Sequence, residues 1–434
     1  MNFSLDPPPS ARATLAAAVA VVTVAAGALL GASPAAAATP VSIIDAATVG
    51  TYKLQTDPAE WATFEQRIAA VEGGGAVSTA STLDVALSGQ QTGRKGLCHY
   101  PNLLPTKYVP DGFCWNTTDD RSSNYSKTGG WVPQGLTASH DGDNVNGMID
   151  GNHIYLASWY WGINESKNEF TRISMTANSA VGNSYGHVLL VAPTESGFEA
   201  VKGNHADGIT WYGNRLFVAN SGELQVYDMR HIWRMNSLGT DVGISGGTSS
   251  AWGHQWVMPM IGRYWTRTKG SGSCQTTTGA TPCFSSLSLD RTGTDGLIAA
   301  EWKSGAAGGR IIRWPLNAST ALPRADDGSA YGTVTAVAGY SSPIWEMQGA
   351  ATDGTNLYIS GRCPDSANED PNSADAYSCI HRAVPGQEPH VIALTPPLSQ
   401  NLSFSRFSGR LWGLNERIDS VVGKRVVFSI DVTP

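Results

Sequence analysis

The sequence predicts an all-β chain built as a β-propeller. Three observations point there: a strand-turn-strand unit that recurs five times, dense punctuation by turn residues, and few charges. Gly contributes 48 and Pro 23 of 434 residues, and charged residues make up only 15%. Many brief strands separated by frequent turns are what an all-β architecture requires.

The chain opens with an export pattern. Arg12 precedes an apolar run from Leu15 to Leu30, and Ala36-Ala37-Ala38 then gives a small-residue cleavage site before Thr39-Pro40. Residues 1–38 are therefore expected to be removed as a signal peptide, which predicts a secreted, extracellular protein. An uncleaved anchor is the alternative, but the run is short for a bilayer span. No later stretch is apolar enough to cross a membrane, so no membrane insertion is expected once the signal is gone. Residues 39–96 read as an N-terminal extension with one helix. In 57–75, Asp57-Pro58 starts it, Trp61, Phe64, Ile68 and Val71 follow at helical spacing, and a Gly run stops it.

From residue 97 to 434 the pattern is strands. The repeats are QGLTAS with GNHIYLASW and HVLLVAPT; HADGITW with YGNRLFVAN and ELQVYDM; CFSSLSLD with GLIAAEW and RIIRWPL; MQGAATDG with NLYISGR and CIHRAV; and NLSFSR with GRLWGLNE and VVFSIDV. Their spacing of roughly 50 to 80 residues suits blades that bury each other's faces. Counting the less regular segment at 97–131, six blades are expected, with five or seven as alternatives. A pair of β-sandwiches would explain the strands but not the repeated unit.

Several of these segments carry a resemblance. WVPQGLTAS, HADGITWYGNRLFVAN with LQVYDMRHIW, HQWVMPMI, SLDRTGTDGLIAAEW and SGRLWGLNE look like a group of secreted, propeller-like proteins from actinobacteria, across most of residues 97–434. The resemblance implies a propeller and export, and brings no activity with it.

Formal charge is −7, and Asp6 and Arg12 cancel within the export segment, so the processed chain keeps that value. A mildly acidic chain without a Lys/Arg cluster is a poor partner for nucleic acid or an anionic membrane. The expected partner is an extracellular glycan or small molecule, bound by a monomer. Six cysteines fall in three local pairs, Cys98 with Cys114, Cys274 with Cys283 and Cys363 with Cys379. Export makes three sequential disulfides the expected reading, although six cysteines allow 15 connectivities. None has the spacing of a zinc or redox motif.

In a propeller the loops leading into the inner strands converge on one face, so chemistry is best sought there. The candidates are Trp131 and Gln134; Asn204, His205 and Asp207; Phe284 and Ser285; Trp345, Glu346 and Gln348; Gln400 and Asn401. Gln134, Gln348 and Gln400 would form a polar funnel, or merely satisfy backbone groups. His205 with Asp207 can be an oriented general base or half of a metal site. In what reads as an aromatic loop at 252–265, His254, Tyr264 and Arg263 are the base, acid and carboxylate-neutralising groups that a polysaccharide lyase needs, with Arg291 as a second grip on an anion; packing is the alternative. Asp290 and Glu301 are a candidate carboxylate pair for glycoside hydrolysis. HDGDNVNGMIDG (140–151) resembles a calcium loop with Asp141, Asp143, Asn146 and Asp150 as donors, although Val145 breaks the pattern; an ordinary turn-rich hairpin loop is the alternative. Fourteen Trp and fourteen Tyr suit sugar stacking, or blade packing. The leading expectation is a carbohydrate-active lyase or hydrolase. A calcium-dependent lactonase or esterase using Asp207, Glu346 and Asn401, and a non-enzymatic binding propeller, are the alternatives.

Overall fold

The computed structural model describes residues 39–99, 104–121, 130–142, 145–162, 170–179, 182–267, 273–364, 377–416 and 424–433. Residues 1–38, expected above to be a signal peptide, lie outside them. The chain is a β-propeller of five antiparallel blades, each built on four strands, with Ser42–Ile43 and Leu322–Pro323 added to the third.

Blade 1 runs outward through Gly130–Ala138, His153–Gly162, Phe170–Ser179 and Gly182–Thr194. Blade 2 uses Gly208–Tyr212, Arg215–Asn220, Glu223–Asp228 and Trp256–Trp265. Blade 3 comprises Ser286–Asp290, Gly296–Ala300, Arg310–Asn317 and Ala338–Ser341. Blade 4 comprises Gly349–Thr352, Leu357–Arg362, Ser378–Ala383 and His390–Thr395. Blade 5 takes Ser399–Ser405, Arg410–Asn415 and Val426–Asp431 from the end of the chain and Asp111–Cys114 from its beginning.

The five repeats thus become five blades, the lower of the alternatives. The segment counted toward a sixth supplies instead the outer strand of blade 5. Ring closure is reinforced by Gln91–Lys95, which pairs with the outer strand of blade 1 on one side and with Asp111–Cys114 on the other. Arg425, fully buried, adds a clasp by donating to the carbonyls of Trp131 (2.8 Å), Asp119 (3.3 Å) and Glu416 (2.9 Å). A charged side chain is tolerated there because carbonyl oxygens replace its water.

The extension is not a separate layer. Its main helix, Pro58–Gly73, starts at the Asp57 N-cap and buries Trp61, Phe64, Ile68 and Val71 against blades 1 and 2. Two shorter helices, Ala46–Val49 and Thr82–Ala86, accompany it. All six cysteines are paired as the spacing suggests: Cys98–Cys114, Cys274–Cys283 and Cys363–Cys379. No helix among the described residues is long and apolar enough to cross a membrane.

Between blades the faces pack dry. Ile154, Leu156, Ile173 and Val188 of blade 1 meet Ile209, Leu216 and Val218 of blade 2. At the axis the inner strands come so close that side chains no longer fit. A Cβ on Gly135 would lie 2.7 Å from the Ile209 nitrogen, and one on Gly208 would collide with the backbone of Ser286 and Leu287. Asn401 holds the matching position in blade 5. Its carboxamide accepts from the Leu287 N–H (2.8 Å) and donates to the carbonyls of Leu136 (2.7 Å) and Ile209 (3.5 Å), bonding blade 5 to three others. It is wholly buried, so no water can replace it.

Replacing Asn401 by Ala strands buried donors and acceptors, each worth roughly 1–3 kcal/mol. The expected loss is about 3 kcal/mol in urea unfolding; a change under about 0.5 kcal/mol would show that the axial bonds contribute little.

Candidate axial site

The five inner strands enter the ring through one repeated step: Gln134-Gly135-Leu136, Asp207-Gly208-Ile209, Ser285-Ser286-Leu287, Gln348-Gly349-Ala350 and Gln400-Asn401-Leu402. The middle residue makes the close approach at the axis. The first therefore stands just above it, and Gln134, Asp207, Ser285, Gln348 and Gln400 all line one cavity of about 520 Å³ at the axial mouth. His205, Tyr160, Phe284, Asn220, Ser221, Trp302 and Glu416 complete much of the wall.

Backbone strain concentrates at the same place. Nine described non-glycine residues have left-handed φ, and five of them, Ala206, Ser221, Thr277, Glu346 and Leu398, sit on loops of the mouth face. Such outliers persist where surrounding structure holds them and cluster at functional sites. The Ala206 outlier is held by Asn204, whose Oδ1 accepts from the Ala206 N–H (2.7 Å) while its Nδ2 donates to Gln225 (2.7 Å). Asn204 is buried and acts beneath the wall.

The kink carries His205 into the cavity. Its ring stacks on Tyr160 (centroids 4.1 Å apart) and its Nδ1 meets Asp207 Oδ1 at 2.6 Å. A carboxylate on Nδ1 is the arrangement that orients an imidazole for proton transfer at its other ring nitrogen. Glu416, in blade 5, is held by two amides: Gln134 Nε2 (2.9 Å) and Gln400 Nε2 (3.0 Å) both donate to its Oε2. On blade 3, Glu301 forms a bidentate pair with Arg310 and accepts from the Thr277 and Cys283 N–H groups, pinning the loop closed by Cys274–Cys283, part of which lines the cavity. Among the described residues the cavity wall has no Lys or Arg.

Several candidates are placed elsewhere. His254 packs against Trp131 and Trp252 outside the cavity wall, and burial drops its imidazole to about 3. The stretch expected as a loop is the outer strand of blade 2, where successive side chains point to opposite faces, so Arg263 and Tyr264 cannot converge. Arg263 pairs with Glu60 (2.7 Å) and Glu223 (3.3 Å); Tyr264 is buried in core on Trp61. Trp131 is buried under the Arg172 guanidinium (4.2 Å). Asp290 and Arg291 close the far end of their strand: Asp290 pairs with Arg313 (2.7 Å), and Arg291 with Asp295 (3.6 Å) and the Asp141 carbonyl. Asp290 and Glu301 are thus at opposite ends of blade 3 and form no catalytic pair. Glu346 is tied to Arg362 (2.7 Å), Asp207 to His205, and Asn401 to backbone, so the set suggested for an axial calcium is not assembled.

The described donors of the suggested calcium loop, Asp141, Asn146 and Asp150, are each turned to other partners or to a turn. Asp143 lies outside the described residues. Asp141 points inward, accepting from Thr137 (2.6 Å) and Ser403 (2.7 Å); Asn146 caps the Met148 N–H; and Asp150-Gly151 is a hairpin turn with both φ positive. Beside Asp141, His140 contacts Ser403 (2.7 Å) and His153 (3.0 Å). Burial lowers both imidazoles to about 3 and raises the Asp141 carboxyl to about 6. A histidine whose folded pKa is lowered stabilises fully above its unfolded value near 6.5 and loses that as pH falls toward 3. The raised carboxyl has the opposite sign, gaining stability on acidification between about 6 and 4, but two histidines outweigh it. The melting temperature is expected to fall from pH 6.5 to 4.5, and His140→Gln to flatten the slope; an unchanged slope would contradict buried neutral imidazoles.

Sequence reading missed Tyr160, Asn220, Ser221, Trp302 and Glu416. All lie at or just past the mouth-side ends of second strands, and a reading of inner-strand entrances alone passes over them. The shared ends of GNRLFVAN and GRLWGLNE carried the signal.

No family model and no curated protein matches the chain. Solved structures similar to it include the GH43_1 enzyme from Xanthomonas citri complexed with xylotriose (11% identity, TM-score 0.31, 72% of this chain and 90% of that one). A gluconolactonase from Xanthomonas campestris (11%, 0.31, 78% and 97%) and PhoX from Pseudomonas fluorescens in complex with vanadate (8%, 0.29, 82% and 95%) are others. Likeness at this level says nothing about activity.

Proposed function

We propose that the axial cavity is the active site of an exported hydrolase acting on an uncharged glycan. The observation that carries this reading is the His205–Asp207 pair opening into the same cavity as Glu416, in a wall whose described residues include no Lys or Arg. A uronate lyase needs a positive group beside the substrate carboxylate. The two arginines considered for that role are engaged elsewhere, which leaves hydrolysis of a neutral sugar as the better fit.

In this reading the glutamine amides and Asn220 take sugar hydroxyls, and the aromatic wall takes the apolar ring face. The His205–Asp207 pair exchanges a proton with the leaving oxygen and then with water. Glu416, oriented by Gln134 and Gln400, faces the carbon where positive charge develops.

The test is release of reducing sugar from uncharged polysaccharides. His205→Ala and Glu416→Gln should each lower kcat by about 10²–10⁴ without loss of melting temperature. Full activity in both variants would overturn the site, and tight glycan binding without product would point to a binding propeller instead. Export belongs to the same reading, since three disulfides need an oxidising compartment. Secreted protein should begin at Thr39 by intact mass; an uncleaved chain would contradict this.

A further inference from the structure

All fourteen Trp lie within the described residues, and only two are exposed: Trp302 at 40% and Trp345 at 37%. A single exposed indole is unremarkable on a protein surface. Here, however, both belong to the mouth face, on neighbouring loops that are bonded to each other. Trp302 lies on the loop between the second and third strands of blade 3 and lines the cavity. Its N–H donates to Ser285 Oγ (2.6 Å), beside the inner-strand entrance. Trp345 lies on the loop that leads into blade 4.

The two loops form a rigid unit. Glu346 N–H donates to the Ala306 carbonyl (3.0 Å), Gly305 N–H donates to Glu346 Oε1 (2.7 Å), and Gly308 and Ser342 bond across the same gap (2.9 Å). Glu346 is buried, pairs with Arg362 (2.7 Å) and holds φ at +48°. A strained residue and a buried ion pair thus fix the loop backbone directly beside the exposed indole of Trp345.

We propose that Trp302 and Trp345 are successive outer subsites, and that the substrate is a chain of uncharged sugars which leaves the cavity over these two indoles. The inference rests on the hydrolase reading and adds chain length and direction to it. Stacking on indoles carried by loops already bonded in place lets each further sugar add affinity at little cost in ordering the loops.

The test is calorimetric titration of the processed protein with xylo-, cello- and malto-oligosaccharides, each from disaccharide to hexasaccharide, on wild type, Trp345→Ala and Trp345→Phe. In the series that binds, affinity should rise with length. Trp345→Ala should then weaken the longer members by about two- to tenfold while leaving the disaccharide unchanged, and Trp345→Phe should restore most of the gain. Affinity independent of length, equal affinity of Trp345→Ala for all members, or no binding by any series overturns the proposal. His205-dependent cleavage of a nitrophenyl monosaccharide without a length effect would sink the outer subsites and keep the hydrolase. Length-dependent binding with cleavage indifferent to His205 would do the reverse.

Discussion

The structure depends on how closely five inner strands approach one axis. At Gly135, Gly208 and Gly349 a single added carbon would meet the neighbouring strand, and at the matching position of blade 5 Asn401 fills the centre by bonding to three other blades. Backbone amides gathered in so small a space must be paired, because water cannot reach them. One residue earlier in each strand the ring widens, and the five side chains there face a shared space. The cavity and its polar lining are direct results of closing the ring.

That constraint also sets the carboxylates in two kinds of surroundings. Glu301, Glu346, Asp119 and Asp290 each have a buried or half-buried arginine against them and hold loops or blades in place. Asp207 meets the His205 imidazole, and Glu416 accepts from the amides of Gln134 and Gln400, partners that orient a carboxylate. Four of the other eight histidines, His140, His153, His254 and His381, are turned inward and kept neutral by burial.

The fold was legible because a propeller repeats its grammar. GNHIYLA and GNRLFVA announce hairpins by the same turn, and the positions just before the inner strands mark the mouth, where Gln134, Asp207, Gln348 and Gln400 stand. Long-range closure was not legible: nothing local in DGFC (111–114) says that it will complete a blade begun near residue 399. The trio His254, Tyr264 and Arg263 misled for a related reason. Composition placed a base, an acid and a cation within a dozen residues, but the segment is a strand, and alternation sends neighbours to opposite faces. Glu416 escaped because its role arises from glutamines 282 and 16 residues away.

The most direct measurement is a crystal structure of the Glu416→Gln variant soaked with uncharged oligosaccharides. This account predicts a sugar in the axial cavity, within hydrogen-bond distance of His205 and the ring glutamines, with its chain leaving past Trp302. Sugar bound at another face, or an axial cavity that stays empty while the soaked oligosaccharide is bound elsewhere in solution, would contradict it.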